Sequence, residues 1–454
     1  MNIFLLASDV PYRSHKEESV TAVNIFLCEL LNTLRALGHS VVLQMIFNVH
    51  RISTTLSASE VEEIQVLESQ GVRVLAPIYK EAYLSPGGWR HRLATLGKIL
   101  FGGTPVKAFY PAVTVGPQVA EQIRAVHPDV ILSVISPEGV GATYGVHDCP
   151  KVSWQGSIDF FPVEARIRER RLFAAPRSSR GLRAASRWLL RELHQYLWLI
   201  GYRRAHVRLM KDMDVIACNG ATMVEFYRRH GHRGTFYLGT GWIDCQTTPA
   251  AAPAPARRTL NIMGYVGYLA HTSSTFGLKF LLQDLMPVLR ETLKDFDYRV
   301  HVIGSGEVVP SLKPLLQQPG IVVRGWVKDL DEELRSSDAF LVLDNAEWYR
   351  VPCARHIVAW SMGLCLLVHE NSRQVFPEIQ HLNNALVGAN AQEIANCVRL
   401  AVTDAAVSQR VRAGGRRTYE TRFRAAELVK RLVAEMNEVV QHTNGAGQIN
   451  GRPG

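Results

Sequence analysis

At 454 residues, with 47% hydrophobic and 20% charged residues, the chain is long enough for two domains with sizeable cores. Its formal charge is +10, and its seven cysteines (28, 149, 218, 245, 353, 365 and 397) include no C-x-x-C pair, which argues against a zinc motif or a disulfide framework and fits a reducing cytosol. There is no run of about 18 apolar residues, and the opening MNIFLLASD has no basic n-region, so it reads as a strand rather than a signal peptide or membrane span.

In chain order, residues 2–7 read as a first strand, 8–19 as a polar loop, 20–37 as a helix closed by Gly38-His39, and 41–47 as a second strand. That order is a βαβ unit. A helix over 61–70 and a strand over 72–75 follow, then a Gly- and Arg-containing excursion over 87–107 with no clear periodicity. A helix over 115–126 leads through Pro128-Asp129 into a strand over 130–135, and 151–154 is another strand followed by the loop 155–162. Residues 166–208 hold twelve Arg and only two Glu, with Trp188, Trp198 and Tyr202 among them. Three readings fit: a solvated face beside a core face, a segment that docks on anionic lipid, or a nucleic-acid surface. The last lacks any recognition motif, so no nucleic-acid partner is expected. A strand over 214–218, a helix over 221–230 and a strand over 234–238 complete the first half.

Residues 244–258, DCQTTPAAAPAPARR, are rich in Pro and Ala and read as a linker. A second α/β unit then begins. Strands are expected over 260–266, 299–303 and 321–324, and helices over 276–292 and 330–336. The stretch 339–386 anchors this half: a short apolar strand (339–343), a polar loop (344–352), a helix (353–362) ended by Gly363, and a strand (364–368). A loop leaving the carboxyl end of such a strand into a helix N-terminus is where open α/β sheets take anionic ligands, and Arg350, Arg355 and His356 stand there. Helices over 391–402, 405–423 and 425–440 precede the tail TNGAGQINGRPG, expected to be disordered.

These residues carry a resemblance. ALGHSVVL, HPDVIL, YLGTGWID, IMGYVGYLAHTSSTFGLKFLL, VHVIGSGEVVPSL, IVVRGWVKDLDEELRSSDAFLV and FPEIQHLNNALVGANAQEIA, in this order and spacing, resemble the glycosyltransferases of the GT-B fold close to family 4. The resemblance covers roughly residues 1–48, 117–160 and 212–436. It implies an α/β fold of two Rossmann-like domains facing across a cleft, with the C-terminal helix packing back toward the N-terminal domain. The expected divisions are 1–243 (acceptor side), 244–259 (linker), 260–424 (nucleotide-sugar binding), 425–441 (C-terminal helix) and 442–454 (tail).

The resemblance also implies transfer of a sugar, with retention of anomeric configuration, from a UDP- or GDP-sugar to a glycan or lipid-linked acceptor. No cofactor is expected beyond the nucleotide-sugar co-substrate, and no metal. Without one, cations, backbone N–H groups and helix N-termini must neutralise the leaving diphosphate. The protein is expected in the cytoplasm, peripheral on the inner face of the plasma membrane, with an anionic surface met through 166–208. Donor contacts are expected from Gly267, Tyr268, His271, Gly304, Ser305, Gly306, Trp326, Val327, Arg350, Arg355, His356 and Glu378. Asp159 and Arg355 are the catalytic candidates, and Asp9, Arg13 and His15 the acceptor-side ones. Each has a plainer reading: a surface Arg paired with Asp344 or Glu347, a helix-turn His, a glycine in a tight turn, a loop Asp bonding its own turn.

The sequence also departs from the family. Its usual Arg and Lys in the first loop of the second domain fall on Tyr268 and Phe276, and its E-x7-E pair on Arg350 and Val358. A degenerate, non-catalytic GT-B protein that binds a partner or a membrane is therefore the alternative.

Overall fold

The computed structural model describes residues 1–13, 22–48, 51, 53–83, 89–172, 182–245 and 259–449. His15, the linker segment 246–258 and the last five residues lie outside the described residues. The chain forms two compact units. The first takes Met1–Asn219, Met223–Leu238 and Val429–Gly454; the second takes Gly220–Thr222 and Gly239–Leu428.

The first unit is built on a parallel sheet of β1 (Asn2–Ala7), β2 (Ser40–Met45), β3 (Arg73–Val74), β4 (Val130–Val134), β5 (Lys151–Gln155), β6 (Val215–Cys218) and β7 (Thr235–Tyr237), in the order β3-β2-β1-β4-β5-β6-β7. Residues of β4, β5 and β6 are buried throughout; β4 and β6 accordingly read as largely apolar runs, whereas β5 buries Lys151, Ser153 and Gln155 among its apolar residues. The second unit has β8 (Leu260–Val266), β9 (Tyr298–Ile303), β10 (Ile321–Gly325), β11 (Ala339–Val342), β12 (Leu366–His369) and β13 (Leu386–Gly388), in the order β10-β9-β8-β11-β12-β13, again parallel. Both are Rossmann-like sheets. Strand order reverses between β1 and β4 in one and between β8 and β11 in the other, and loops outside those carboxyl ends are where such sheets bind ligands.

Several elements differ from the sequence expectation. The excursion over 87–107 contains the helices Trp89–Leu100 and Val106–Phe109. The basic stretch forms Phe161–Leu172 and the 29-residue helix Leu182–Met210. The helix expected over 276–292 starts earlier, at Thr272, where the His271 ring accepts from the Ser273 N–H as a cap. Its middle, Phe280–Leu285, is π-helical. Pro287, with no N–H to give back to the preceding turn, accounts for the widened ladder.

The chain leaves the first unit at Leu238, ahead of the expected linker. Asp244 is paired with Arg416 at 2.7 Å and with Arg424 at 3.1 Å, and the Tyr419 hydroxyl donates to the Trp242 carbonyl at 3.0 Å, all within the second unit. The last helix, Ala425–Ile449, extends into the segment expected to be disordered, as far as residue 449. From Val429 it belongs to the first unit, where Arg431 donates to the carbonyls of Tyr237 and Leu238. No described helix is long and apolar enough to cross a membrane.

Candidate functional site

Arg355 organises the strand-order switch of the second sheet. It lies in the first turn of the helix Ala354–Ser361. Its Nη1 donates to the Val266 carbonyl at the end of β8 (2.9 Å), and its Nη2 to Asp344 Oδ1 just past β11 (2.6 Å). Its Nε points at the Cys353 sulfur (2.9 Å), and its guanidinium carbon lies 4.4 Å from the centre of the Tyr265 ring. One side chain thus ties together the two loops that flank the switch. The Asp344 side chain is 1% exposed and that of Arg355 18%. Burial works against the charge on Arg355, but its polar neighbours together, the Asp344 carboxylate foremost, outweigh this and hold the guanidinium protonated. Burial also pushes the Cys353 thiol up to about 11, so its sulfur accepts as a neutral group. Asp344 Oδ2 is buried with no hydrogen-bond partner.

Gly267, Gly304 and Gly306 fit the loops against one another beside this pair. Gly304 has φ +143, and a Cβ there would stand 1.8 Å from the Gly267 carbonyl oxygen. A Cβ on Gly306 would meet the Tyr268 ring at 2.7 Å. The loops are pinned by Gly267 N–H to Ile303 O, Leu269 N–H to Ser305 O, and Gly304 N–H to Gly325 O. The first requirement for glycine here is therefore backbone packing. Tyr268 is exposed, and so is Trp326 past the end of β10; Val327 is half-buried.

The other expected donor residues are placed differently. Arg350 donates to the Asn345 and Tyr349 carbonyls, and partial burial lowers its pKa. Lys279, a nearby cation outside the expected set, is salt-bridged to Glu347 at 2.5 Å. His356 is fully buried, its ring 4.8 Å from that of Phe376 and its Nδ1 3.1 Å from the Cys353 carbonyl. A carbonyl only accepts, so Nδ1 carries the proton, and Nε2 is left buried without a partner. Burial lowers its pKa to about 4. Glu378 reaches Arg422 on the helix Ala405–Arg422 at 3.3 Å. Among the described residues, no group of three His, Cys, Asp or Glu could hold a metal ion.

In the first unit, Asp9, two residues past the end of β1, is half-buried, and burial raises its pKa against the pull of Arg51. Arg13 is taken up by Glu63 (2.9 Å) and Glu62 (3.5 Å) on the helix Ala58–Ser69. Asp159, beyond the end of β5, belongs to a network that the sequence did not suggest. Its Oδ2 accepts from the Tyr110 hydroxyl at 2.8 Å, and His206 Nδ1 is 2.7 Å from that hydroxyl and 3.3 Å from the carboxylate. His206 Nε2 is 2.9 Å from the Tyr227 hydroxyl. Tyr110 spends its single proton on the carboxylate, so His206 Nδ1–H must donate toward it, while Nε2 meets the Tyr227 hydroxyl. Burial raises the pKa of both tyrosines, which keeps their protons in place. No local signal marked it, since its members converge from distant segments.

Residues 261–404 match the family model of glycosyl transferases group 1. That match lies wholly within the second unit. Whole-chain similarity to solved structures agrees with it. A glycosyltransferase from Rickettsia africae ESF-5 is 11% identical, over 97% of this chain and 98% of that chain, with a TM-score of 0.56. The Anabaena protein HepE, solved with UDP and glucose, is 12% identical over 96% and 99%, with a TM-score of 0.53. Sucrose-phosphate synthase from Thermosynechococcus elongatus is 14% identical over 98% and 99%, with a TM-score of 0.59. At such identities the likeness establishes the fold, the two Rossmann-like domains of the GT-B glycosyltransferases. No curated protein matches the chain by sequence.

Proposed function

We propose that the protein is a retaining glycosyltransferase that moves a sugar from a UDP- or GDP-sugar to a glycan or lipid-linked acceptor in the synthesis of a cell-surface glycan. The observation that supports it most is Arg355, a permanently charged fork fixed at the switch point within the residues that match the group 1 model. Three of its five N–H groups are used within the protein, and two remain for diphosphate oxygens. In this reading the sugar–phosphate bond breaks as the acceptor oxygen bonds the anomeric carbon. Charge gathers on the leaving phosphate oxygen, which takes the acceptor proton. Arg355 and the loop N–H groups offset that charge, so no metal is invoked. Asp159, oriented by Tyr110 and His206, holds an acceptor or sugar hydroxyl.

A second reading, a GT-B protein that binds without turnover, is favoured by a specific observation. Lys279 and Arg355 are both paired with carboxylates, and Arg350 is turned onto backbone carbonyls. Thermal unfolding with UDP, GDP, ADP and their common sugars separates the two. A nucleotide at 100 times its Kd should stabilise the fold by about 2.7 kcal/mol. In a chain of this size that is a rise of roughly 2–4 °C. Arg355→Lys, which keeps the charge and loses the fork, should remove most of that rise. No shift with any nucleotide at millimolar concentration would leave the non-catalytic reading standing.

A further inference from the structure

Ten of the sixteen exposed large hydrophobic side chains described fall on, or directly after, three helices of the first unit: Trp89–Leu100, Phe161–Leu172 and Leu182–Met210. Leu189, Leu193, Tyr196 and Ile200 recur at helical spacing along the longest of them, one apolar stripe facing solvent. Phe101 is 93% exposed and Leu100 63%. A monomer's surface carries single apolar residues without consequence, but a cluster of this kind marks a contact surface.

The three helices form one continuous face. Gly201 has no side chain, so Ile99 packs directly on it; a Cβ there would lie 2.4 Å from Ile99 Cδ1. The Arg204 guanidinium donates to the Ile99 carbonyl at 3.0 Å. These contacts set Leu100 and Phe101 beside the turn that carries Ile200. Arg171 joins the Phe161–Leu172 helix on, through Glu192 at 2.8 Å and the Tyr196 ring at 4.9 Å. The charge on this face is of one sign. Among the described side chains of the three helices, eleven Arg and Lys are exposed and no Asp or Glu is. Glu192, for one, is buried beneath Arg171.

We infer that this face docks the protein on an anionic lipid surface, with Phe101, Leu100 and the Leu189–Ile200 stripe entering the acyl boundary and the arginines meeting the head groups. Charge complementarity selects that occupant. A bilayer rich in anionic lipid is both negatively charged and able to receive protruding aliphatic side chains, with Arg stems lying along the interface. A nucleic acid offers the charge but has no place for a leucine and isoleucine stripe. A second copy of this face would bring like charges together. The inference stands on the first unit alone and does not depend on the sugar-transfer reading.

Sedimentation of the full chain with vesicles tests it. Phosphatidylcholine vesicles are compared with vesicles of phosphatidylcholine and phosphatidylglycerol in a two-to-one ratio, at low and high salt. The chain should pellet with the anionic vesicles only and be released by high salt. L100S/F101S, at positions too exposed to hold the fold together, should weaken binding by roughly tenfold or more. R166E/R170E/R191E should do the same while leaving any nucleotide-induced thermal shift unchanged. Binding to neither vesicle overturns the inference, as does vesicle binding indifferent to L100S/F101S. So does a dimer, seen by light scattering, that L100S/F101S dissolves in a chain that ignores vesicles.

Discussion

Asp344 and Arg355 share one buried charge pair, and the two sides of that pair are not equally replaceable. Asp344→Asn leaves the guanidinium without a counter-charge in a site from which water is largely excluded. We predict a loss of about 3–5 kcal/mol in urea unfolding, the range for breaking a buried pair on one side only. Asp344→Asn with Arg355→Met should recover part of that loss, because it removes the stranded charge too. His356 gives a pH signature of its own. Its folded-state pKa is lowered by burial to about 4, below the ordinary 6.5. Between those values the unfolded chain binds a proton that the folded chain refuses, so stability is complete above pH 6.5 and falls as pH drops toward 4. The contribution is up to about 3 kcal/mol. His356→Leu should flatten the slope of unfolding free energy over this window, whatever it does to stability at pH 7. An unchanged slope would place the titration elsewhere.

The glycines of the second unit act at the level of loops. Gly304→Ala would drive a Cβ into the Gly267 carbonyl, where backbone must give way, so it should cost at least about 2 kcal/mol and loosen the loops after β8, β9 and β10 together. Gly325→Ala has φ +66 but open space around it, and should cost only the left-handed penalty of about 1 kcal/mol. Equal costs in a denaturation series would mean that close packing of the loops contributes nothing. The same loops show how far the sequence could be read. Strands such as β4 and β11 were legible because an apolar run between turn signals has few other solutions in a parallel sheet. The position of Arg355 at a strand-to-helix turn was legible for the same reason. Its pairing with Asp344 rather than Glu347 was not decidable, since both carboxylates lie in the loop leading to it and only tertiary packing separates them. The Tyr110–Asp159–His206–Tyr227 network was invisible for a topological reason. Tyr110 lies 49 residues from Asp159 and 96 from His206, and no local pattern encodes contacts at that distance. The helix Trp89–Leu100 escaped notice because it is held by its seat on another helix rather than by a strong periodicity of its own.

All seven cysteines of the molecule are free and none is exposed: Cys149 and Cys353 are half-buried and the others buried. Burial pushes Cys28, Cys149, Cys353 and Cys397 up to about 11 and also raises Cys218, Cys245 and Cys365. The native chain should therefore react slowly with a disulfide reagent at pH 8 and release seven equivalents at once in denaturant. Fast labelling of even one native thiol would contradict that burial. The path of the chain through the two units has a different consequence. The first unit is built from Met1–Asn219 and Met223–Leu238 together with Val429–Gly454, and the second takes Trp242–Cys245 from ahead of the 246–258 segment. A nick within 246–258 therefore yields fragments that do not correspond to the units, because each unit draws on both. Two polypeptides, 1–250 and 251–454, made separately in one cell, should find each other and elute together as a complementing pair without any peptide bond between them.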